Sequence, residues 1–118
     1  MNSFTERIRP SVDAEIRLAL SAEAQGEFHT AMRHLERAHV LGQRSTYHHV
    51  RVHGLMLQMA VRNHWTAEAA GQLWRIAAAA VFTPLGLLPK GNPGATRTSG
   101  LRPAAVPRDL QALIDTAR

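Results

Sequence analysis

Between Leu35 and His53 the chain reads LERAHVLGQRSTYHHVRVH, nineteen residues that hold four of its seven histidines and one carboxylate, Glu36. Neutral imidazoles with a carboxylate suit Zn²⁺ in a tetrahedral site, or Fe²⁺ held by two histidines and one carboxylate. Spacing decides whether these donors can meet. If residues 43–44 form the turn of an antiparallel helical hairpin, positions equally far from it lie level, because each residue rises by about 1.5 Å. His39 then stands opposite residues 48–49 and Glu36 opposite residue 51. His49 and His53 are four apart and share a helix face. Glu36, His39, His49 and His53 thus form a quadrilateral across one hairpin interface, about one helical turn tall.

Several enzyme motifs fail here. The run His49-Val-Arg-Val-His53 lacks the glutamate of a zinc-protease HExxH. Glu36-Arg-Ala-His39 is a single Glu-x-x-His, and the corresponding position after Glu68 is Gly71, so the paired motif of a di-iron bundle is missing. No serine sits in a nucleophile motif, and no catalytic residue is assigned. The other histidines fit simpler roles. His29 and His34 fall on different faces as surface residues, His48 points away from its neighbour His49, and His64 suits the C-terminal dipole of a helix.

A metal-free reading uses the same residues. Gln72 and Arg75 follow at helical spacing on a later helix, with Arg75 near the level of Glu36 and His53. A Glu36–Arg75 ion pair, hydrogen-bonded to His39, His53 and Gln72, would make a buried polar seam that fixes how helices pair.

These residues need helices to carry them, and the pattern is helical almost throughout. Ser11, after Pro10, is the expected cap of a first helix with apolar positions Val12, Ile16, Ala19, Leu20 and Ala24, ended by Gly26. A second helix from about Glu27 to Gly42 buries Phe28, Ala31, Met32, Leu35 and Ala38. Ser45 or Thr46 caps a third, running to about Asn63. Thr66 caps a fourth, with Trp65 before it as a staple, and Pro84 stops it. Residues 85–118 differ. A Pro/Gly-rich stretch without helical period, in which Leu85, Leu87, Leu88 and Leu101 suggest packing on the bundle, leads to a short helix opened by Pro107 and docked through Leu110, Leu113 and Ile114. No strand pattern is present. The expectation is one all-α domain, a hairpin bundle over residues 1–84 with residues 85–118 packed on it. Ala24–Ala38 (AxGEFxxAxxxLERA) also resembles a single tetratricopeptide hairpin.

Composition narrows the function. The chain has 118 residues and no cysteine, which excludes disulfides, thiolate metal sites and thiol catalysis. Its net charge of +5 comes from thirteen arginines and one lysine, Lys90, without any nucleic-acid-binding signature. The N-terminus shows no signal peptide and no apolar run is long enough to span a bilayer, so a cytoplasmic protein is expected, with no specific nucleic-acid or membrane partner. The turn Lys90–Gly94 lacks the setting of a P-loop.

LERAHVLGQ (35–43), His49 and His53, GQLWRI (71–76) and PKGNPG (89–94), in that order, resemble the signature of a short bacterial family, domain of unknown function 3703. The resemblance runs from the second helix to the Gly-rich turn. Pro93 departs from it, because the family has a small or hydroxyl residue there, and this weakens any anion-binding role for that turn. The resemblance implies an association with heavy-metal resistance and no assigned activity. Its matched positions, Glu36, His39, Gln43, His49, His53, Gln72 and Arg75, coincide with the quadrilateral and its flanks. His39, His49, His53 and Glu36 are the expected ligands of a zinc or iron ion, with Gln43, Gln72 and Arg75 around them and the last two holding Glu36. The leading expectation is metal handling or stress resistance. The alternative is a metal-free helical-hairpin interaction module, with a protein partner or a second copy held through residues 85–101. An Fe²⁺ enzyme is the third reading.

Overall fold

Apolar residues recur at helical spacing from Ile8 onward. The computed structural model describes residues 3–85 and 105–118, and among these the pattern becomes five helices and no strand. They are α1 (Phe4–Ala24), α2 (Phe28–Gly42), α3 (Thr46–Arg62), α4 (Thr66–Phe82) and α5 (Arg108–Ala117). The fold is an all-α bundle in which α1 pairs with α2 and α3 with α4 as hairpins, while α5 lies on α1 and α2.

The first helix does not start at Ser11. It starts at Phe4 and carries Pro10 inside it. Ser3 and Glu6 form a reciprocal capping box, with Glu6 N–H donating to Ser3 Oγ at 3.3 Å and Ser3 N–H to Glu6 Oε2 at 3.1 Å. An interior proline costs a helix about 3 kcal/mol, because it removes one donor and crowds the preceding turn. Tertiary contacts offset that here. Ile8 is fully buried, Phe4 packs on the core, His48 Nε2 bonds Thr5 O at 2.9 Å, and Arg7 Nε donates to Ala117 O.

Gly26 ends α1 as expected. Its φ of +77° lets Glu27 N–H reach Ala22 O at 2.9 Å and Gly26 N–H reach Glu23 O at 3.0 Å. α3 ends the same way without a glycine. His64 takes φ +62°, Trp65 N–H reaches Ala60 O at 2.8 Å and His64 N–H reaches Val61 O at 3.2 Å. His64 is thus a left-handed cap, at a cost of about 1 kcal/mol for a residue with a Cβ. Its side chain is exposed and makes no hydrogen bond or ion pair among the described residues. His64→Gly is therefore expected to raise the melting temperature by about 4 °C; an unchanged or lower value by calorimetry contradicts this.

The core joins Ile8, Val12, Ile16, Ala19 and Ala22 of α1 to Ala31, Met32, Leu35, Ala38 and Leu41 of α2. Val52, Met56 and Met59 of α3 and Leu110, Ile114 and Ala117 of α5 complete it. Four residues expected inside are exposed instead: Leu20 (45%), Ala24, Phe28 (37%) and Leu113 (41%). The α1 stripe advances in steps of four and three from Ile8, which leaves Leu20 beyond its edge. On α5 Ala117 takes the place of Leu113. Phe28 meets Trp65 edge-on, with ring centroids 6.0 Å apart. Thr66 is the first helical residue of α4 rather than its cap, and Trp65, at the cap position, packs on the core. Pro107 likewise precedes α5 rather than opening it.

Ion pairs tie the helices at defined registers. Arg37 donates to Glu15 on α1 and Asp109 on α5, and both carboxylates hold its guanidinium above the usual arginine value. Arg51 reaches Asp13 at 2.7 Å, and Glu23 accepts from Arg62 and Asn63, so α3 is clamped to α1 near both ends. α4 is different: among the described residues it rests on α3 alone and adds nothing to the main core cluster. Leu85, which follows it, is 64% exposed rather than packed. The expected packing of Leu87, Leu88 and Leu101 and the turn at Lys90–Gly94 lie outside the described residues. No helix among those described is long and apolar enough to cross a membrane.

Candidate metal centre

The site begins with the tight turn between α2 and α3. Ser45 caps α3, its Oγ accepting from His48 N–H at 3.3 Å and bonding Thr5 Oγ1 at 2.7 Å. Gly42 lets the end of α2 abut the start of α3, since a Cβ there would lie 2.6 Å from His48 Cβ. That register brings His39 level with His49, and His53 follows one turn further along α3. Their rings close a triangle with centroid separations of 4.6 Å (His39–His49), 4.7 Å (His39–His53) and 5.0 Å (His49–His53). All three residues are 2% exposed, and one ring nitrogen from each lies within 4.8 Å of the other two.

α4 orients two of these rings from outside. Gln72 is fully buried, and its Nε2 donates to Glu68 Oε1 at 2.9 Å. A carboxylate only accepts, so the Gln72 amide turns its carbonyl to His53, and His53 Nδ1–H donates to Oε1 at 2.5 Å. His53 Nε2 therefore carries a lone pair. His49 Nδ1 bonds Thr83 Oγ1 at 2.6 Å. With the proton on that nitrogen, His49 Nε2 is an acceptor as well. His39 Nε2 lies 2.8 Å from it, a hydrogen bond along one edge of the triangle in which one ring donates and the other accepts according to tautomer.

Such a constellation suits a nitrogen-liganded ion: one nitrogen of each ring converges, and the outer nitrogens of His49 and His53 are tied to fixed partners. Zn–N bonds of about 2.0–2.1 Å in tetrahedral geometry separate the nitrogens by about 3.3 Å. His39 and His49 would part by about half an ångström, and His53 would draw in.

Electrostatics keep His49 and His53 neutral and ready as donors. Burial lowers the His49 pKa to about 3, helped by His53. Burial also lowers that of His53 to about 4, with the Arg75 charge acting the same way and the Gln72 bond opposing. In the unfolded chain both sit near the ordinary histidine value of about 6.5. Protons therefore favour the unfolded state between these values. The neutral-state stability is complete above pH 6.5 and is lost as pH falls through 4 toward 3. Metal-free protein is expected to lose on the order of several kcal/mol across that window. Urea titrations at stepped pH check this, and a flat profile from pH 7 to 4 contradicts it.

The remaining predicted residues surround the triangle. Glu36 is 8% exposed on α2, one turn before His39, and the mutually close nitrogens are those of the three histidines. Gln43 is the half-buried C-cap residue of α2. Arg75 is half-buried on α4, where burial lowers its pKa against the attraction of Glu68. Sequence reasoning missed Thr83 and the positioning role of Glu68. The signal was present, because Glu68, Gln72, Ala79 and Thr83 follow one another at spacings of four, seven and four along one face of α4. His34, expected at the surface, instead bonds buried Glu15 at 2.7 Å across α1 and α2. His48 points away from His49, as expected, and docks on α1.

Fold and site together define an all-α hairpin bundle with a buried three-histidine cluster between α2 and α3, its two α3 histidines bonded from the α4 side. The chain belongs to the family described as protein of unknown function (DUF3703), whose match covers residues 6–114. No curated protein and no solved structure matches it.

Proposed function

We propose that the protein binds one transition-metal ion, Zn²⁺ in preference to Fe²⁺, through His39, His49 and His53, and serves metal handling or stress resistance. The observation that carries this reading is the convergence of three buried ring nitrogens within 4.8 Å, two of the rings being anchored from behind. Three neutral imidazoles suit Zn²⁺ and leave one coordination position. A dication in so dry a pocket also needs negative charge nearby, since Arg75 stands on the same side. Glu36, buried on α2, is the proposed fourth ligand, with Gln43, Gln72 and Arg75 around the ligand set and Gln72 aligning His53. The association with heavy-metal resistance that the family resemblance implies would point the same way.

A second reading has its own support. The 2.8 Å bond between His39 and His49 completes a hydrogen-bonded network without any ion. On that reading the network fixes the helix register of a tetratricopeptide-like interaction module. Cobalt(II) titration separates the two. A metal site gives the intense visible bands of four-coordinate cobalt, saturating at one equivalent and displaced by Zn²⁺. Only the weak bands of hydrated cobalt would support the network.

A further inference from the structure

Among the α4 residues whose burial is described, every exposed one is apolar, among them Leu73 (59%), Trp74 (71%), Ala77, Ala80 and Val81 (58%), and Leu85 (64%) continues the face beyond the helix end. At helical spacing these residues form one stripe, opposite the side that holds Gln72 and Ala79 against α3. Solvated helix faces carry charge, as α1 does at Glu6, Arg9 and Arg17. The outer face of α4 carries none. A continuous apolar face of this kind, on a helix packed against α3 alone among the described residues, marks an interaction surface.

We infer that this face binds a second copy of the chain, with the two α4 helices antiparallel about a two-fold axis at Ala77. The stripe complements itself only in that arrangement. Residues three before and three after Ala77 are Trp74 and Ala80, and those four before and after are Leu73 and Val81. An antiparallel pair therefore sets each tryptophan against the partner's small Ala80 and each leucine against a valine. A parallel pair would set tryptophan on tryptophan and leave gaps at the alanines. An isologous contact of this sort closes as a dimer. The helix is about 25 Å long, and its exposed side chains would bury on the order of 600 Å² per copy, within the lower range of stable interfaces. The absence of charge on the face removes any desolvation penalty for ionised groups. The surface lies on the far side of α4 from the histidines, so this inference stands apart from metal binding.

Sedimentation of the full chain tests it. The wild-type protein is expected at twice the 13.0 kDa of one chain, and Trp74→Glu at that single mass, with unchanged helical circular dichroism because Trp74 is largely exposed. The chain has no cysteine, so Ala77→Cys introduces one thiol, and oxidation is expected to yield a disulfide-linked dimer at the two-fold axis. A wild-type monomer at all concentrations overturns the inference, whether Trp74 emission is solvent-like or shows the face to be covered by residues 86–104. A dimer that survives Trp74→Glu, or one that Ala77→Cys fails to cross-link, overturns it as well.

Discussion

Alanine at His49 or His53 is expected to abolish both tight Zn²⁺ binding and the stabilisation that binding confers. An ion that binds only the folded state adds RT ln(1 + [M]/Kd), about 4 kcal/mol at a thousandfold excess over Kd. At roughly 4 °C per kcal/mol, Zn²⁺ should raise the wild-type melting temperature by about 15 °C. Either substitution removes one of three nitrogens and releases a partner, Gln72 for His53 and Thr83 for His49. The metal-free variant should itself lose about 1–3 kcal/mol, because a buried polar group loses its bond. His53→Gln separates the two effects: it can still bond Gln72 but offers no imidazole. A melt of that variant that still rises by 15 °C with Zn²⁺ would exclude His53 as a ligand.

Two glycines give the second prediction, with opposite signs. Gly42→Ala is expected to destabilise the fold by about 3 kcal/mol. The new Cβ would stand 2.6 Å from His48 Cβ and 3.6 Å from Val12 Cγ2. A Cβ contact cannot be relieved by turning a side-chain end, so the start of α3 must shift. His49 shifts with it, and metal affinity should fall along with stability. Gly54→Ala lies in the middle of α3, where a Cβ meets nothing within 4 Å. It should stabilise by about 0.5–1 kcal/mol through helix propensity alone. Denaturant titration of both variants reads the difference directly, and equal midpoints would contradict the turn geometry on which the site depends.

Much of this arrangement is legible in the sequence, for identifiable reasons. The levels of His39, His49 and His53 follow from one assumption, a turn at residues 43–44, and from a rise per residue that every helix shares. The hairpin pairing follows from short connections with strong stop signals, such as Gly26. What local signals misplace is decided by distant contacts. Pro10 reads as a helix start, yet α1 runs through it because residues 4–8 are held by His48, Ala117 and the core, all remote in sequence. Leu20 and Leu113 read as core because hydrophobicity says nothing about which of two adjacent apolar positions faces a neighbour. Thr83 escaped notice because it sits beside a proline, outside the apparent helix, although its register with Gln72 was there to be counted.

Elemental analysis of the untagged protein, purified without chelators, tests the central claim most directly. One equivalent of zinc per chain is expected, or of iron in its place, absent from the His49→Ala/His53→Ala protein. A folded wild-type protein that carries no metal and takes up none from added Zn²⁺ at neutral pH would contradict it. The three histidines would then be a hydrogen-bonded seam.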